Sequence, residues 1–226
     1  MDHKTAQNLS EKLQIAPEQI VREEYELLFL KDLFGSSFGG SLVFKGGTAL
    51  RLAHGSPRFS DDLDFSIIEQ INPKQFIKVI KNMGARYPNV KLADVRKKKN
   101  TLFALFKIKE AFLTLAFSIK IKISTRIVDW KKEKDYLVKT FSSPTTSIVV
   151  IGNTVTLLRI KKDKEQALKT RKKARDLYDL WYLKARLNQE LGLLKHNLSL
   201  KELKRELNRV LPKNERYVVE KLFSQK

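Results

Sequence analysis

The chain has 226 residues, of which 42% are hydrophobic, and its 45 lysines and arginines against 25 acidic residues give a formal net charge of +20. The apolar fraction supports a folded core, no apolar run is long enough for a membrane span, and the first residues lack the apolar segment of a secretory signal. No cysteine is present, which excludes disulfides, thiolate metal sites and cysteine nucleophiles and makes a cytoplasmic location the simplest expectation.

The excess of positive charge favours a polyanionic partner. Lysines and arginines cluster at residues 96–99, 131–134 and 159–175, and such clusters gain free energy by releasing counterions from a phosphate backbone. We therefore expect nucleic acid as a partner. An acidic partner protein and an ordinary solvated basic surface are the alternatives.

Two helices are predicted before residue 35. Residues 4–14 predict a short helix, and Pro17 suits the first turn of a second helix that runs from Glu18 to Phe34. In the second helix, apolar residues recur at helical spacing: Val21, Tyr25, Leu28 and Phe29. The polar residues expected on its wetter side are Arg22, Glu23 and Glu26. We expect this helix only to pack against a sheet.

The stretch from residue 42 to residue 65 carries the strongest pattern. Leu42, Val43 and Phe44 predict a short buried strand, followed by Gly46 and Gly47. A helix is predicted through residues 49–52, with the hydroxyl of the preceding threonine, Thr48, as its cap.

A second strand is predicted where Asp61-Asp62-Leu63-Asp64-Phe65 follows a turn. If Leu63 and Phe65 point into the core, strand alternation places Asp62 and Asp64 together on the opposite face. Two neighbouring carboxylates repel each other unless a cation lies between them, and oxygen ligands together with substrate phosphates are what Mg²⁺ prefers.

The two motifs together indicate a loop that approaches a triphosphate beside a divalent-metal site. Each motif alone is weak, because most Gly-Gly-Thr triplets are turns and surface strands often carry two spaced aspartates. Their order within about twenty residues, strand, glycines, helix, turn and strand, is specific. The chemistry indicated is phosphoryl or nucleotidyl transfer.

The remaining elements are a helix over Pro73–Met83, a β-ribbon over residues 90–128 and helices after Arg159. In the ribbon, residues 96–100 predict a charged hairpin turn, and a clean alternation begins at Phe117. Ser142-Ser143-Pro144 is the expected linker, before a short strand or apolar connection at Ser147–Ile151.

The last two helices are predicted at roughly Ser199–Val210 and Asn214–Phe223. The histidines, His3, His54 and His196, are scattered and do not indicate a zinc site.

Two blocks of the sequence resemble a known family. The segments KGGTALRL and RFSDDLDF, and about a hundred residues later a K-x-x-A-L segment followed by RDLYDL, are similar to the signature of the AbiEii/AbiGii toxins. These toxins are nucleotidyltransferases of the DNA polymerase β-like superfamily. The resemblance implies an α+β fold, in which a polymerase β-like mixed sheet with flanking helices fills residues 1–150 and a helical C-terminal domain fills residues 151–226.

The resemblance also suggests roles for particular residues. Asp62 and Asp64 would hold Mg²⁺ or Mn²⁺, and the residues expected to cradle the β- and γ-phosphates of an NTP are Gly46, Gly47 and Thr48. Lys164 matches a lysine that binds the triphosphate, and Asp176 matches an aspartate thought to take part in catalysis.

Two further residues, Arg58 and Ser60, flank the metal residues and complete the expected nucleotide-binding set. Arg58 could contact phosphate or form a salt bridge with Asp61. On the helix of the second block, Asp179 is expected to bond Arg175, four residues away. Tyr178, Trp181 and Tyr182 are expected in the core, with base stacking as the alternative.

A third carboxylate is expected on the neighbouring strand in this fold, but the sequence there reads Lys120-Ile121-Lys122-Ile123. Lys122 stands where the acid is expected, which argues against a complete two-metal site. A single metal or a contribution from Asp176 would explain the difference, as would a shifted strand register.

The function implied is transfer of a nucleoside monophosphate from an NTP to an RNA hydroxyl, most plausibly the 3′ end of tRNA, which would block translation. A cognate antitoxin is implied as a partner. The alternatives are transfer of a nucleotide or phosphate to a protein side chain, and a catalytically weakened module that binds RNA or a partner.

Overall fold

The computed structural model describes residues 1–171, 173–190 and 196–224. The helices are α1 (His3–Leu13), α2 (Pro17–Phe34), α3 (Gly46–Leu52), α4 (Pro73–Arg86), α5 (Leu157–Arg171), α6 (Ala174–Arg186), α7 (Leu200–Leu207) and α8 (Val218–Phe223). The strands are β1 (Leu42–Lys45), β2 (Asp62–Ile67), β3 (Val90–Lys98), β4 (Thr101–Ile108), β5 (Phe117–Ile127), β6 (Tyr136–Ser143) and β7 (Thr146–Val155).

The strands form one seven-stranded sheet in the order β3-β4-β5-β2-β1-β7-β6. β2 lies antiparallel to β1 and parallel to β5, and β1 lies parallel to β7. The sheet is therefore mixed, as predicted, and β2 lies at its centre. The main apolar core packs α2 and α4 against this sheet.

The polar residues of α2 are buried, so the prediction that they face water is wrong. Arg22, Glu23 and Glu26 are all buried, with at most 6% of the residue surface exposed. Glu23 accepts hydrogen bonds from Arg51 of α3 and from Ser143 at the end of β6. Neighbouring elements cover the polar face of the helix and bring partners for Glu23, whereas Glu26 Oε1 has no hydrogen-bond partner among the described residues.

Helix α3 begins earlier than the sequence indicated. Its N-cap residue is Lys45 rather than Thr48, and Gly46 is the first helical residue with φ of 84°. The hydroxyl of Thr48 instead donates to the backbone carbonyl of Asp62 at 2.6 Å. The threonine therefore ties the first turn of α3 to the start of β2.

The prediction of a linker at residues 142–144 is wrong. Ser143 ends β6 and Thr146 begins β7, so this segment is the turn of a β-hairpin whose strands pair from Tyr136↔Val155 to Ser143↔Thr146. The basic hairpin turn is shorter than predicted, because β3 continues to Lys98.

The C-terminal helices build a second apolar cluster. Its buried residues come mainly from α6, α7 and α8, with Leu211 from the segment between α7 and α8, and include Leu177, Tyr178, Leu203 and Val219. The last helix, α8, is shorter than predicted, with a separate 3₁₀ turn at Lys213–Glu215. The division into domains at residue 150 stays a prediction. No helix in the described ranges is long and apolar enough to cross a membrane.

Candidate active site

The two aspartates of β2 share one face of the sheet. Leu63 and Phe65 are fully buried, whereas the side chains of Asp62 and Asp64 are 27% and 35% exposed. The alternation predicted from the sequence is therefore present. Both carboxylates lie at a partly open surface beside the start of α3.

Lys122 lies between these two carboxylates. It is opposite Asp64 in the parallel pairing of β2 with β5. Its Nζ is 2.6 Å from Asp62 Oδ2 and 3.8 Å from Asp64 Oδ1. Lys120, opposite Asp62, is more distant, with its Nζ 3.9 Å from Asp62 Oδ1. The predicted replacement of a carboxylate by Lys122 is thus in register on the polar face.

Opposing effects act on the ionisation of Asp64. Burial raises the pKa of the Asp64 carboxyl above its usual value, the ammonium of Lys122 lowers it in part, and the neighbouring Asp62 raises it again. The charge of Lys122 therefore opposes the effect of burial and favours the ionised form of Asp64.

The two glycines before the site are packed closely against its side chains. A Cβ at Gly46 would lie 3.1 Å from Asp64 Oδ2, and the positive φ there disfavours any other residue. A Cβ at Gly47 would lie 2.3 Å from Arg58 Nη2 and 2.8 Å from Ser60 Oγ. The structure therefore brings Gly46, Gly47, Arg58 and Ser60 together beside Asp64. Thr48 is buried behind them.

A buried network of ion pairs joins this loop to α5 and α6. The Asp179 carboxylate accepts from Arg58 Nε at 2.6 Å and Nη2 at 2.8 Å. Lys164 Nζ lies 2.5 Å from Asp179 Oδ2 and 2.9 Å from Asp176 Oδ1. Asp176 and Asp179 are three residues apart on α6, so they face the same lysine from successive turns.

Asp176 is fully occupied by its partners. It is completely buried and accepts two hydrogen bonds from Arg171 in addition to the one from Lys164. Burial alone would raise the pKa of the Asp176 carboxyl, but the hydrogen bonds and charges of Arg171 and Lys164 lower it to about 2. The carboxylate therefore stays ionised and positions two cations, which does not suit it to be a proton acceptor or the missing metal ligand.

Two predicted ion pairs have different partners in the structure. Arg58 pairs with Asp179, not with Asp61, whose carboxylate instead accepts from Arg209 at 2.8 Å. Asp179 likewise does not pair with Arg175. Sequence reasoning missed these contacts because Arg58 and Asp179 are separated by 121 residues. The only signal available was a pair of aspartates on one face of α6.

A cavity of about 560 Å³ opens beside Asp64. Its basic lining residues are Lys45, Arg126, Arg159, Lys164 and Arg171, against two carboxylates, Asp64 and Asp163. Trp130, which packs against Arg159 with the guanidinium carbon 5.0 Å from the ring centroid, and Gly46 also line it. The cavity suits a polyanion that carries a flat ring.

A second cavity of about 360 Å³ is lined in part by the loop before β2. Its lining includes Asp61, directly before that strand, and a group of basic residues from the loop, from α6 and its N-cap, and from α7 and its C-terminal flank: Arg58, Lys173, Arg175, Arg205 and Arg209. Arg175, Arg205 and Arg209 are exposed. The sequence indicated only part of this group, because Lys173 and Arg175 belong to the basic cluster at residues 159–175, whereas Arg205 and Arg209 lie outside every predicted cluster.

The carboxylates fit one divalent ion better than two. Asp62 and Asp64 offer oxygen ligands on one face, which suits a magnesium ion that takes its other ligands from phosphate and water. Among the residues described, no three His, Cys, Asp or Glu side chains lie close enough together to hold a metal by themselves. The ammonium of Lys122 lies beside both carboxylates, 2.6 Å from Asp62 and 3.8 Å from Asp64.

Comparison with known proteins agrees with this geometry. The family model "Nucleotidyl transferase AbiEii toxin, Type IV TA system" matches residues 28–221. A search of curated proteins gave no match.

Solved structures have the same fold. JHP933 from Helicobacter pylori is 23% identical, with 93% of this chain and 79% of that chain covered and a TM-score of 0.57. A proposed nucleotidyltransferase from H. pylori is 25% identical, with 92% and 81% covered and a TM-score of 0.53. MenT4, a nucleotidyltransferase toxin from Mycobacterium tuberculosis, is 20% identical, with 84% and 63% covered and a TM-score of 0.57. The predicted fold class is therefore confirmed.

Proposed function

This chain belongs to the AbiEii nucleotidyl transferase toxin family of type IV toxin–antitoxin systems, and from that premise we propose that it transfers a nucleoside monophosphate from an NTP to the 3′ end of a tRNA. Family membership makes the chain a toxin nucleotidyltransferase, and implies an NTP donor and an antitoxin partner. The acceptor and the block of translation that would follow are our proposal.

The observation that carries the proposal is the contact between the carboxylate face and the 560 Å³ cavity. Asp64 lies at its edge, and five cations line its wall against two carboxylates. Such a wall attracts a triphosphate, because its charges are already in place and desolvated in part. Lys164 and Arg171 are held there by Asp176, so their positions are fixed before the substrate arrives.

The reaction would proceed by in-line displacement at the α-phosphorus. The acceptor hydroxyl oxygen forms a bond to that phosphorus, the bond to the oxygen that bridges to the β-phosphate breaks, and pyrophosphate leaves while the hydroxyl proton passes to water. When bound, a Mg²⁺ or Mn²⁺ ion held by Asp62 and Asp64 would neutralise charge on the transferring phosphate. Lys164 and Arg171 would hold the leaving pyrophosphate.

The smaller basic cavity supports a nucleic-acid acceptor. It adjoins Asp61, the residue before the carboxylate pair, and its five cations exceed its two carboxylates. Exposed arginines next to a transfer site suit the phosphate backbone of a strand whose end must reach that site. The net charge of +20 acts in the same direction.

The donor and acceptor are tested by incubating the protein with each α-³²P-labelled NTP, Mg²⁺ and total tRNA. We expect label in tRNA with one nucleotide, and none with Asp64→Ala. The matched control is Asp94→Asn, which removes a carboxylate from the edge strand β3. Label on protein would indicate a side-chain acceptor, and no label with RNA binding retained would indicate a binding module. Either result would refute the proposed acceptor.

The docking surface is tested by RNA affinity. Arg175→Ala with Arg205→Ala should weaken tRNA binding and reduce the slope of log K against log salt by about 2. The same change at Lys74 and Lys78, exposed residues of α4 that line neither cavity, should have little effect. An unchanged slope in the arginine variant would exclude this cavity as the RNA surface.

A further inference from the structure

Lys122 occupies the position at which a transferase of this kind would hold a cation. Its ammonium is 2.6 Å from one carboxylate of the pair and 3.8 Å from the other. It is also held there by register, because Lys122 lies opposite Asp64 on the neighbouring parallel strand. A strand position cannot drift by one residue without turning the side chain to the other face of the sheet.

We propose that the Lys122 ammonium replaces one of the two metal ions of a two-metal transferase, so that this chain binds a single divalent ion and binds it tightly only together with a triphosphate. The inference rests on the proposed function of the site. It adds a property of the site that the family relationship does not supply.

The first support is the local charge. Asp62 and Asp64 carry two negative charges, and Lys122 with Lys120 brings two positive charges within 4 Å of them. A divalent ion that approached the free protein would meet a neutralised pair and would have to displace an ammonium. A triphosphate changes this balance, because it brings its own negative charge and its own oxygen ligands.

The second support is that, in the part of the chain that the structure describes, no third acid joins Asp62 and Asp64 in a cluster that could hold a metal. Glu110 is buried and accepts from Tyr25 and Asn89. Asp176 is tied to Lys164 and Arg171. Asp129 follows the end of β5 at Ile127 and is exposed. Asp163, which lines the same cavity as Asp64, is paired with Arg159 at 3.2 Å. In two-metal sites the ions lie about 3.5–4 Å apart, and here Asp62 and Asp64 are the carboxylates placed together on one face.

The proposed arrangement has a functional consequence. A fixed ammonium beside the acceptor hydroxyl can stabilise the developing negative charge on the attacking oxygen without a metal at that position. The divalent ion would then serve the triphosphate alone. Activity should depend on one metal-binding event instead of two.

The test is Mn²⁺ binding, followed by the electron paramagnetic resonance signal of the free ion, on the full chain with and without inorganic tripolyphosphate. We expect the wild-type chain to bind Mn²⁺ weakly alone and one Mn²⁺ per chain with tripolyphosphate. Lys122→Gln should strengthen binding of Mn²⁺ alone by roughly tenfold or more, because the competing charge is gone. Lys122→Glu should bind two Mn²⁺ per chain with tripolyphosphate, whereas Lys122→Arg should behave as wild type.

The matched control is Lys120→Glu. It changes the same charge on the same strand, but Lys120 is opposite Asp62 and does not lie between the carboxylates. It should leave one Mn²⁺ per chain with tripolyphosphate. If it creates a second site as Lys122→Glu does, overall charge and not position is responsible, and the proposal is wrong.

Two Mn²⁺ ions on the wild-type chain, or tight binding without tripolyphosphate, would also overturn the proposal. If Lys122→Glu does not fold, the wild-type stoichiometry and the affinity of Lys122→Gln still decide the question. Because the readout is metal binding, it is independent of whether tRNA is labelled. One ion per chain without any transfer would contradict only the proposed function.

Discussion

Replacement of Asp179 by asparagine should destabilise the protein more than removal of its partner Arg58. Asp179 is fully buried and holds Arg58 by two hydrogen bonds and Lys164 by an ion pair of 2.5 Å. In Asp179→Asn, the guanidinium of Arg58, 2% exposed, loses its anionic partner and keeps only neutral acceptors, the new side-chain amide oxygen and the backbone carbonyl of Phe59. Breaking a buried pair in this way costs about 3–5 kcal/mol.

Arg58→Met should lower the free energy of unfolding by a smaller amount, about 1–3 kcal/mol, because Asp179 still has the ammonium of Lys164 as a partner. The double variant Arg58→Met with Asp179→Asn should cost less than the sum of the two single changes, since neither buried group is then left with an unpaired charge. The exposed Asp129→Asn is the control and should change stability by less than about 0.5 kcal/mol.

The assay is urea unfolding followed by tryptophan fluorescence and circular dichroism, with stability taken from the midpoint at constant m value. A loss below about 1 kcal/mol for Asp179→Asn, or a larger loss for Arg58→Met, would refute the argument from burial. The affinity of the folded Arg58→Met variant for tripolyphosphate tests whether Arg58 also contacts phosphate, as predicted from the sequence. An unchanged affinity would show that Arg58 supports the loop without binding phosphate.

Three other changes test the packing and the buried titratable groups. Gly47→Ala should lower the free energy of unfolding by about 1–3 kcal/mol, because the added methyl group would collide with Arg58. Gly40→Ala, where the added methyl group meets open space, should leave stability unchanged. Thermal unfolding of both variants checks this. Burial, reinforced by the charge of Lys139, lowers the pKa of His54 to about 4. The unfolded chain therefore binds an extra proton between about pH 6.5 and about pH 4, and stability should fall by up to about 1.4 kcal/mol per pH unit as pH falls through that range. His54→Gln should flatten that slope. Burial raises the pKa of Glu26 well above its usual value of 4.5. The native state therefore keeps a proton that the unfolded chain releases, and stability should fall as pH rises above 4.5. Glu26→Gln should remove that loss, and an equal dependence of stability on pH in the variant and the wild type would contradict this prediction.

Local alternation was sufficient to predict the carboxylate face. Leu63 and Phe65 define the buried side of β2, and the side chains between them must face the other way. The same reasoning identified the alternating face of β5 that carries Lys122. These features depend only on neighbours along one strand, so a single sequence contains them.

The environment of α2 could not be predicted in this way. Its polar residues are spaced as on a solvated face, but Glu23 lies within hydrogen-bonding distance of Arg51 and Ser143, which are 28 and 120 residues away. Burial of a charged group requires such partners. Helical periodicity reports which residues share a face, but not what the rest of the chain brings to that face.

The two sequence blocks that resemble the family differ in the surroundings of their aspartates. In the first block, Asp62 and Asp64 are partly exposed beside a cavity, so they can meet a ligand directly. In the second block, Asp176 and Asp179 are completely buried and bonded to cations. A matching motif predicts that these aspartates are required, but it does not distinguish contact with substrate from support of a residue that makes the contact. Because Lys164 lies between them and also lines the cavity, we assign the contact with substrate to the lysine and its positioning to the two aspartates.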